Sequence, residues 1–405
     1  MEKSGRAYAR SSRDVIVHVY GDMHPHEGGP PQVIVHLARA QLERGCDVRL
    51  IAMNGEDHDV IDFVKDELEE GEDLPIFSFR PRGIRALWSR SVIHKALCGA
   101  TTVHIHSIWP TNNLYVAHYC LSRSIPYVLS IHGHLRPKAL AIKSFKKRLG
   151  LLLGYRAMVK GASAVHALTA SEALDARNFG IQAPITVIPN GIHSERFNTP
   201  PSRSLIEGYV PSLKGKDYLL FLSRIHPPKG ARRLTEAFKE LSSEFPDLHL
   251  VVAGPDFGGV EEVKAEIGTG ELGKRLHLPG FLSGDLKASA LAHAQVFCLP
   301  SDHEGFSVAI LEALAWGAPT VISTGCHFPE LAEAGAGWVH GLSTAELTTT
   351  LREVLSSNTE RTKKSGFGKK WVSEHYSWVE IEKMYQRLYD SVKTDHSRAD
   401  EEKRS

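Results

Sequence analysis

The late part of the chain contains two short apolar runs separated by one loop and one helical stretch, and this pattern restricts the possible folds more than any other. The runs, residues 296–299 and 320–323, are typical of strands buried on both faces. Residues 300–319 begin with a loop and continue as an apolar helix. A strand, a helix and a second strand in this order are typical of a parallel sheet covered by helices.

The same alternation opens both halves of the chain. Residues 14–20 predict a strand, residues 21–31 a loop rich in glycine and proline, and residues 32–44 a helix that ends at Gly45. A strand pattern restarts at 218–223, after residues 198–215, which hold three prolines and predict a linker. A chain of 405 residues suits two domains. We therefore predict an α/β protein with domains 1–199 and 216–376, a helix over 377–395 that crosses back to the first domain, and a disordered tail over 396–405.

Composition places the protein among ordinary soluble chains, with 42% hydrophobic and 23% charged residues. Its five cysteines are scattered and have no Cys-x-x-Cys spacing, which favours a reducing compartment and argues against a zinc site. The polar first residues do not resemble a signal peptide, and no run approaches the length of a membrane span. These features predict a cytoplasmic protein.

Charge is distributed unevenly, because residues 74–171 contain no aspartate or glutamate but many arginines and lysines. Within this segment, residues 136–160 combine cations with leucines in a helical pattern, as in helices that rest on anionic lipid headgroups. A core helix with one solvated basic side is the alternative. We expect an anionic partner, which is a membrane surface or a diphosphate-bearing acceptor. Nucleic acid is not expected, since no motif for it is present.

Two carboxylates, Glu304 and Glu312, flank the start of the helix in the 300–319 stretch. Eight residues of helix turn through about 800°, so the two side chains differ by roughly 80° in azimuth. A carboxylate among apolar residues is costly unless it has a partner. It is either part of a structural ion pair or an acceptor for the adjacent hydroxyls of a sugar or ribose.

Other candidate residues lie at the ends of predicted strands. Arg224 and Lys229 precede a helix and could hold a diphosphate, and Gly28 and Gly29 open the first helix in a way that suits phosphate. Strand ends also place His106 and Trp109 as candidates for contact with an acceptor. Three His-x-His pairs (24/26, 104/106 and 132/134) lack a convincingly spaced third ligand, so no metal is expected.

The chain resembles the family 4 retaining glycosyltransferases. The resemblance is carried by Glu304 and Glu312 with Pro300-Ser301 before them and Gly317-Ala318-Pro319 after, by Arg224 and Lys229, and by Pro189-Asn190-Gly191. It implies a GT-B fold, in which two Rossmann-like, doubly wound parallel-sheet domains face a central cleft. Pro30-Pro31 and Pro227-Pro228 depart from the usual pattern.

The resemblance also implies roles for individual residues. Glu304 would hold sugar hydroxyls, Glu312 the nucleotide ribose, and His132 the transferred sugar, while Arg224 and Lys229 would neutralise the leaving diphosphate. The remaining implied donor contacts are Gly28, Gly29, Asn190, Leu278, Gly305, Phe306 and Ser307. His106, Trp109 and His134 would contact the acceptor.

We therefore predict a retaining hexosyltransferase that uses a nucleotide-diphosphate sugar and needs no cofactor or metal. The expected acceptor is a lipid-linked glycan of polysaccharide synthesis, reached by peripheral contact with the inner face of the membrane. A small soluble acceptor such as a sugar phosphate, a sugar-nucleotide epimerase and a non-catalytic binding protein are the alternatives.

Overall fold

The computed structural model describes residues 14–24, 29–68, 72–80, 85–136, 150 and 154–404. The chain forms two compact units, residues 1–188 with 382–405 and residues 189–381. Gly28 and most of the basic segment 136–160 lie outside the described residues.

The first unit is built on a parallel sheet whose described strands follow the order β3-β2-β1-β4-β5-β6-β7. These strands are β1 (Val15–Val19), β2 (Asp47–Ala52), β3 (Ile76–Ser78), β4 (Thr102–His106), β5 (Tyr127–Ser130), β6 (Ala164–Ala167) and β7 (Ile185–Val187). Its helices are α1 (Gly29–Glu43), α2 (His58–Glu67), α3 (Arg85–Leu97), α4 (Thr111–Ser122), α5 (Arg156–Lys160) and α6 (Ala170–Phe179). Strands buried on both faces by helices need the near-continuous apolar runs seen in the sequence.

The second unit repeats this plan, with the strand order β10-β9-β8-β11-β12-β13. Its strands are β8 (Tyr218–Leu222), β9 (His249–Ala253), β10 (Leu276–Gly280), β11 (Val296–Leu299), β12 (Thr320–Ser323) and β13 (Trp338–His340). Its helices are α7 (Ser204–Tyr209), α8 (Ala231–Leu241), α9 (Val260–Ile267), α10 (Gly284–Ala292), α11 (Val308–Ala315), α12 (Glu330–Glu333), α13 (Thr344–Ser356) and α14 (Asn358–His375).

Strand order fixes where a ligand can bind in each unit. In the first sheet β1 lies between β2 and β4, and in the second β8 lies between β9 and β11. The chain winds outward in one direction from the first strand of each sheet and then in the other. The crevice at such a reversal, outside the carboxyl ends of the two strands, is the usual ligand site of open α/β sheets. The loops after β1, β4, β8 and β11 are therefore the expected ligand-binding loops of the two units.

Two segments differ from the sequence-based prediction. Residues 198–215, predicted as a linker, contain α7 and belong to the second unit, where Ile206 and Leu213 are buried in the core. One of the three prolines, Pro211, begins a short 3₁₀ turn there. The last helix, α15 (Trp378–Arg404), also runs through the residues predicted to be disordered. No glycine or proline interrupts that stretch, so the helix can continue along it.

Among the described helices, none has the length and apolar content needed to span a bilayer.

Candidate functional site

Lys229 and Glu304 meet at the strand reversal of the second sheet. Lys229 follows β8, and Glu304 follows the neighbouring strand β11. The Lys229 ammonium donates to both carboxylate oxygens of Glu304, at 2.7 and 2.6 Å. Both side chains are largely buried, with 15% and 8% of their surface exposed. A charged cation and a charged acceptor are thus held together where a ligand of an α/β sheet binds.

The two loops that carry this pair are locked to each other. The Pro228 carbonyl accepts the Asp302 N–H at 2.8 Å, and the Arg233 guanidinium donates to Pro300 O at 2.7 Å and to the Asp302 carboxylate at 2.6 Å. Gly230 adopts a left-handed conformation, with φ of +79°, directly under the Pro300 carbonyl. Each loop therefore fixes the position of the other.

Gly230→Ala is expected to disturb both stability and activity. The left-handed conformation alone costs about 1–2 kcal/mol for a residue with a Cβ, and the added methyl would overlap the Pro300 carbonyl oxygen, so the loop must move. A displacement of about 1 Å at a reacting group can cost a hundredfold in rate. Thermal unfolding and sugar-transfer rates measure the two effects.

Gly180→Ala is the matched control for this substitution. Gly180 has the same left-handed conformation, with φ of +97° and ψ of 24° against +79° and 18° for Gly230, and nothing lies within 4 Å of the added carbon. The control should lose stability through backbone conformation alone and keep its transfer rate. Equal losses in the two variants would show that the close approach to Pro300 is unimportant.

Arg224 lies on the same loop as Lys229 but has different neighbours. Its side chain is exposed and its guanidinium stands 5.4 Å from the centre of the Phe257 ring. Phe257 belongs to a tight loop in which the Asp256 carboxylate accepts the N–H groups of Gly258, Gly259 and Val260. The structure thus holds Arg224 at the edge of the loop, available to an anion, and does not bring it into contact with Glu304.

Glu312 forms an ion pair, which is one of the two roles that the sequence predicted for a carboxylate at this position. The Lys287 ammonium of α10 donates to its carboxylate at 2.7 Å. Both side chains keep partial exposure, 27% for Lys287 and 17% for Glu312. One carboxylate oxygen contacts Lys287, and the other could still accept from a ribose hydroxyl. The role in ribose binding stays a prediction.

The turn between Glu304 and α11 presents backbone groups. Among the described residues, the N–H groups of Gly305, Phe306 and Ser307 have no hydrogen-bond acceptor, and such groups ahead of a helix favour an anion. The Phe306 carbonyl accepts from the buried Asn190 amide at 3.3 Å. Leu278, on β10, is half-buried against the core. These positions suit the donor contacts predicted for them without testing those contacts.

In the first unit, the loops after β4 and β5 carry the predicted histidines. Ser107 and His132 have positive φ values of 78° and 44°, which are unusual for residues with a Cβ and are found where a structure is held in place for function. Ser107 Oγ lies 2.9 Å from His134 Nδ1, which joins the two loops. His132 is half-buried. Gly29 begins α1 and is exposed, as a phosphate-facing glycine would be.

Glu172 holds the loop after β5, and the sequence-based reasoning missed it. Its buried carboxylate accepts the N–H of Gly133 and, at 2.5 Å, that of Leu168. Burial raises the pKa of Glu172, while these two hydrogen bonds and the nearby charge of Arg136 lower it. The N-cap of α6 is Thr169, whose hydroxyl oxygen accepts the N–H of Glu172 at 3.2 Å. The Thr169-x-x-Glu172 spacing was the available signal, since it is typical of a helix start.

Trp109 and His106, both predicted acceptor contacts, differ in accessibility. Trp109 is half-buried and packs against the Tyr155 ring at 5.7 Å, with its carbonyl accepting from the Tyr155 hydroxyl. His106 is 1% exposed, and both of its ring nitrogens are hydrogen-bonded to other histidines. The burial of the ring argues against direct contact between His106 and an acceptor.

Buried histidines form an unpredicted cluster beside these loops. His18 brings a third imidazole to His104 and His106, the third ligand that the sequence pattern lacked, and one nitrogen of each lies within 4.8 Å of the others. Every nitrogen of the three rings already has a hydrogen-bond partner. A metal ion would have to break those bonds, so the three rings are not assigned as ligands.

The structure thus assembles the predicted residues in two groups. Lys229, Glu304 and the turn at 305–307 come together in the second unit, with Arg224 on the same loop and Glu312 on the following helix. In the first unit His134 contacts Ser107, and His132 contacts His106.

Comparisons with known proteins agree with this architecture. Residues 27–196 match the family described as Glycosyltransferase Family 4, and residues 209–371 match Glycosyl transferases group 1. The phosphatidyl-myo-inositol mannosyltransferase of Mycobacterium leprae is 25% identical over 92% of this chain and 95% of its own. The MMP alpha-(1->4)-mannosyltransferase of Mycolicibacterium hassiacum is 28% identical over 51% of this chain, which spans about half (48%) of that relative.

Two solved structures share the fold. Anabaena Alr3699/HepE, solved in complex with UDP and glucose, has a TM-score of 0.73 at 19% identity and covers 94% of this chain and all of its own. WaaG, a glycosyltransferase involved in lipopolysaccharide biosynthesis, has a TM-score of 0.63 at 18% identity over 93% of this chain and 99% of its own. Two parallel sheets with flanking helices therefore form a GT-B glycosyltransferase fold, as predicted. The chain belongs to the group 1, family 4 glycosyltransferases.

Proposed function

We propose that this protein is a retaining hexosyltransferase that moves a sugar from a nucleotide-diphosphate sugar to a lipid-linked, anionic acceptor. The observation that carries the proposal is the Lys229–Glu304 pair at the strand reversal of the second sheet. An ammonium suits the diphosphate of a donor, and a carboxylate suits the hydroxyls of its sugar. The same pair without a ligand satisfies itself, which keeps both charges in place.

The proposed chemistry breaks the bond between the anomeric carbon and the diphosphate oxygen and forms a bond to an acceptor oxygen. Positive charge grows on the sugar ring and negative charge on the leaving diphosphate. Lys229, Arg224 and the backbone N–H groups at 305–307 would stabilise the diphosphate, and Glu304 would hold the sugar hydroxyls. The proton of the acceptor hydroxyl would pass to the leaving phosphate on the same face. With cations on the loop after β8, the proposal needs no metal.

The acceptor is proposed from charge and from the relatives. Residues 74–171 contain no carboxylate side chain, which favours an anionic partner. The M. leprae relative, which aligns over nearly the whole chain, is named for a phosphatidylinositol acceptor. Both observations support an acceptor with an anionic headgroup, reached by contact with a membrane surface.

Donor and acceptor can be tested in sequence. A panel of nucleotide sugars is added to the protein and thermal unfolding is recorded, because a ligand at a hundred times its Kd stabilises the folded state by about 2.7 kcal/mol. The stabilising donor is then supplied with vesicles that contain phosphatidylinositol or a lipid-linked glycan, or with soluble sugar phosphates. We expect one donor to stabilise wild type but not Glu304→Gln, and transfer to follow the lipid acceptor.

Binding to vesicles separates the remaining outcomes. Co-sedimentation with anionic vesicles should exceed that with neutral ones and should fall at high salt. Transfer to a sugar phosphate without vesicle binding would favour a soluble acceptor. A donor that binds without transfer to any acceptor would point to a non-catalytic protein.

A further inference from the structure

A continuous chain of hydrogen bonds crosses the interior of the first unit and ends at His132. It begins at the Ile188 carbonyl and contains five histidines. The members in order are Ile188, His166, Ser130, His104, Tyr389, Gln41, His18, His106 and His132. All of them before His132 have buried side chains. In a neutral histidine one ring nitrogen donates and the other accepts. The position of the proton on each ring therefore follows from the position of the proton on the preceding member of the hydrogen-bonded chain.

The first part of the chain is set by a group that can only accept. The Ile188 carbonyl lies 2.7 Å from Nε2 of His166, so this nitrogen carries the proton. Nδ1 of His166 is then an acceptor and takes the hydroxyl proton of Ser130 at 2.6 Å. The Ser130 oxygen must in turn accept, at 2.6 Å, from Nε2 of His104. Nδ1 of His104 is thereby left as an acceptor.

Tyr389 and Gln41 connect His104 on β4 to His18 on β1. The Tyr389 hydroxyl donates to Nδ1 of His104 at 2.7 Å, which uses its only proton. Its oxygen can therefore only accept from Gln41, and the Gln41 amide nitrogen lies 3.5 Å away. This fixes the orientation of the amide, so the Gln41 oxygen faces Nε2 of His18 at 2.7 Å and accepts from it.

The last part of the chain fixes the proton on His132. Because Nε2 of His18 carries the proton, Nδ1 accepts from Nε2 of His106 at 2.9 Å. Nδ1 of His106 then accepts from Nε2 of His132 at 3.1 Å. Nδ1 of His132 is left as a bare acceptor, since among the described residues the hydrogen bond of this ring is the one that Nε2 makes to His106.

The rings are neutral, as this order requires. Burial lowers the pKa of His18 and of His166 to about 4 and that of His132 to about 3. Burial and the neighbouring rings hold the pKa values of His104 and His106 well below the ordinary value. At the four inner rings a second proton would place two donors face to face at a hydrogen bond of the chain, so these rings stay neutral. Nδ1 of His132 makes no such hydrogen bond, and there it is burial that disfavours the second proton.

We propose that this buried chain holds His132 in the tautomer with the proton on Nε2, so that Nδ1 is presented to the substrate as a hydrogen-bond acceptor. The inference rests on the proposed function and deepens it. A bare imidazole nitrogen accepts from a hydroxyl and cannot donate to a phosphate oxygen. His132 therefore binds a sugar hydroxyl, of the donor or of the acceptor, and does not bind the diphosphate. Tyr389, Gln41, His18 and His106 are positioning residues.

Nuclear magnetic resonance of the full chain labelled with ¹⁵N-histidine tests the tautomer directly. Protonated and bare ring nitrogens have well-separated ¹⁵N shifts, and a His132→Gln sample identifies the His132 signals. We expect a bare Nδ1 and a protonated Nε2 for His132 in the wild-type protein. A protonated Nδ1 would overturn the inference.

Tyr389→Phe tests whether the chain is what sets the tautomer. It removes the hydroxyl that links His104 to Gln41, so the Gln41 amide is free to turn and the protons on His18, His106 and His132 can shift together. We expect the His132 signals to become mixed or inverted. The kcat/KM for transfer should fall about tenfold, because the enzyme loses one hydrogen bond to the substrate.

Tyr385→Phe is the matched control. Tyr385 lies one turn earlier on α15, is equally buried, and contacts His166 at 3.2 Å without being a link of the chain. It should leave the His132 tautomer unchanged and kcat/KM within about twofold. The same spectral change in both variants, or none in Tyr389→Phe, would overturn the inference.

The inference about the His132 tautomer and the proposed sugar transfer can be refuted independently of each other. A reversed tautomer in an enzyme that transfers sugar overturns only the inference. Absence of transfer with every donor and acceptor overturns the proposed function, while the spectra still decide the tautomer.

Discussion

Lys229→Met is expected to abolish most sugar transfer and to destabilise the second unit at the same time. The substitution removes the ammonium that contacts both oxygens of the Glu304 carboxylate, whose side chain is only 8% exposed. Removing one partner of a buried ion pair costs about 3–5 kcal/mol. Loss of a positive charge at the leaving group should lower the rate by about a hundredfold or more. Denaturant unfolding and initial transfer rates measure the two losses.

Combining Lys229→Met with Glu304→Gln separates stability from chemistry. The double variant no longer buries the Glu304 charge, so most of the lost stability should return. Transfer should stay low, because neither the cation nor the carboxylate is present. Recovery of both properties would mean that the pair serves only the fold.

Arg352→Met is the control for removing a cation from an ion pair of the same unit. The Arg352–Glu244 pair is exposed, with 44% and 43% of each side chain accessible. Because water solvates both groups, the substitution should leave stability nearly unchanged. The transfer rate should not change either, since Arg352 lies on α13, outside the two loops that carry Lys229 and Glu304.

Much of the fold was predictable because each strand carries its own signal. Runs such as 218–222 and 296–299 are apolar throughout, as strands of a sheet covered on both faces require. Residues 14–53 predicted the opening strand, loop, helix and strand. The meeting of Lys229 and Glu304 also follows from local sequence, since both residues lie in the segments that follow neighbouring strands and parallel strands end at one edge.

What could not be predicted depends on contacts between distant parts of the chain. His18 and His106 are 88 residues apart, and His104 and Tyr389 are 285 apart. Nothing in either local sequence indicates its partner. The buried histidines of the chain, His18, His104, His106 and His166, each occupy a strand position where the pattern predicts an apolar side chain. The sequence therefore shows that these positions are exceptional but does not show which residue is the partner of each. The linker prediction failed for a related reason, because Ile206 and Leu213 are isolated apolar residues whose burial depends on the rest of the second unit.

Acid is expected to destabilise the first unit well above the pH at which carboxylates titrate. His18 and His166 have pKa values lowered by burial from the ordinary 6.5 to about 4, and that of His132 is lowered to about 3. Above pH 6.5 these rings are neutral in both the folded and the unfolded chain. As pH falls from 6.5 towards 4, the unfolded chain takes up protons that the folded unit cannot, so stability is lost over this window.

The loss is large because several rings act together. At pH 5, about 1.5 units below the unfolded pKa, each such ring removes about 2 kcal/mol, so three remove about 6 kcal/mol of a typical 5–15 kcal/mol. Denaturant unfolding at pH 7, 6 and 5 should show this. His166→Gln should reduce the number of protons that are taken up on unfolding by up to one, and so should weaken the dependence of the free energy of unfolding on pH. Tyr385→Phe, beside the same ring, should lower that free energy equally at each pH. A free energy of unfolding that stays constant from pH 7 to 5 would mean that the buried rings accept protons in the folded state, and the ordered chain that ends at His132 could not then exist as described.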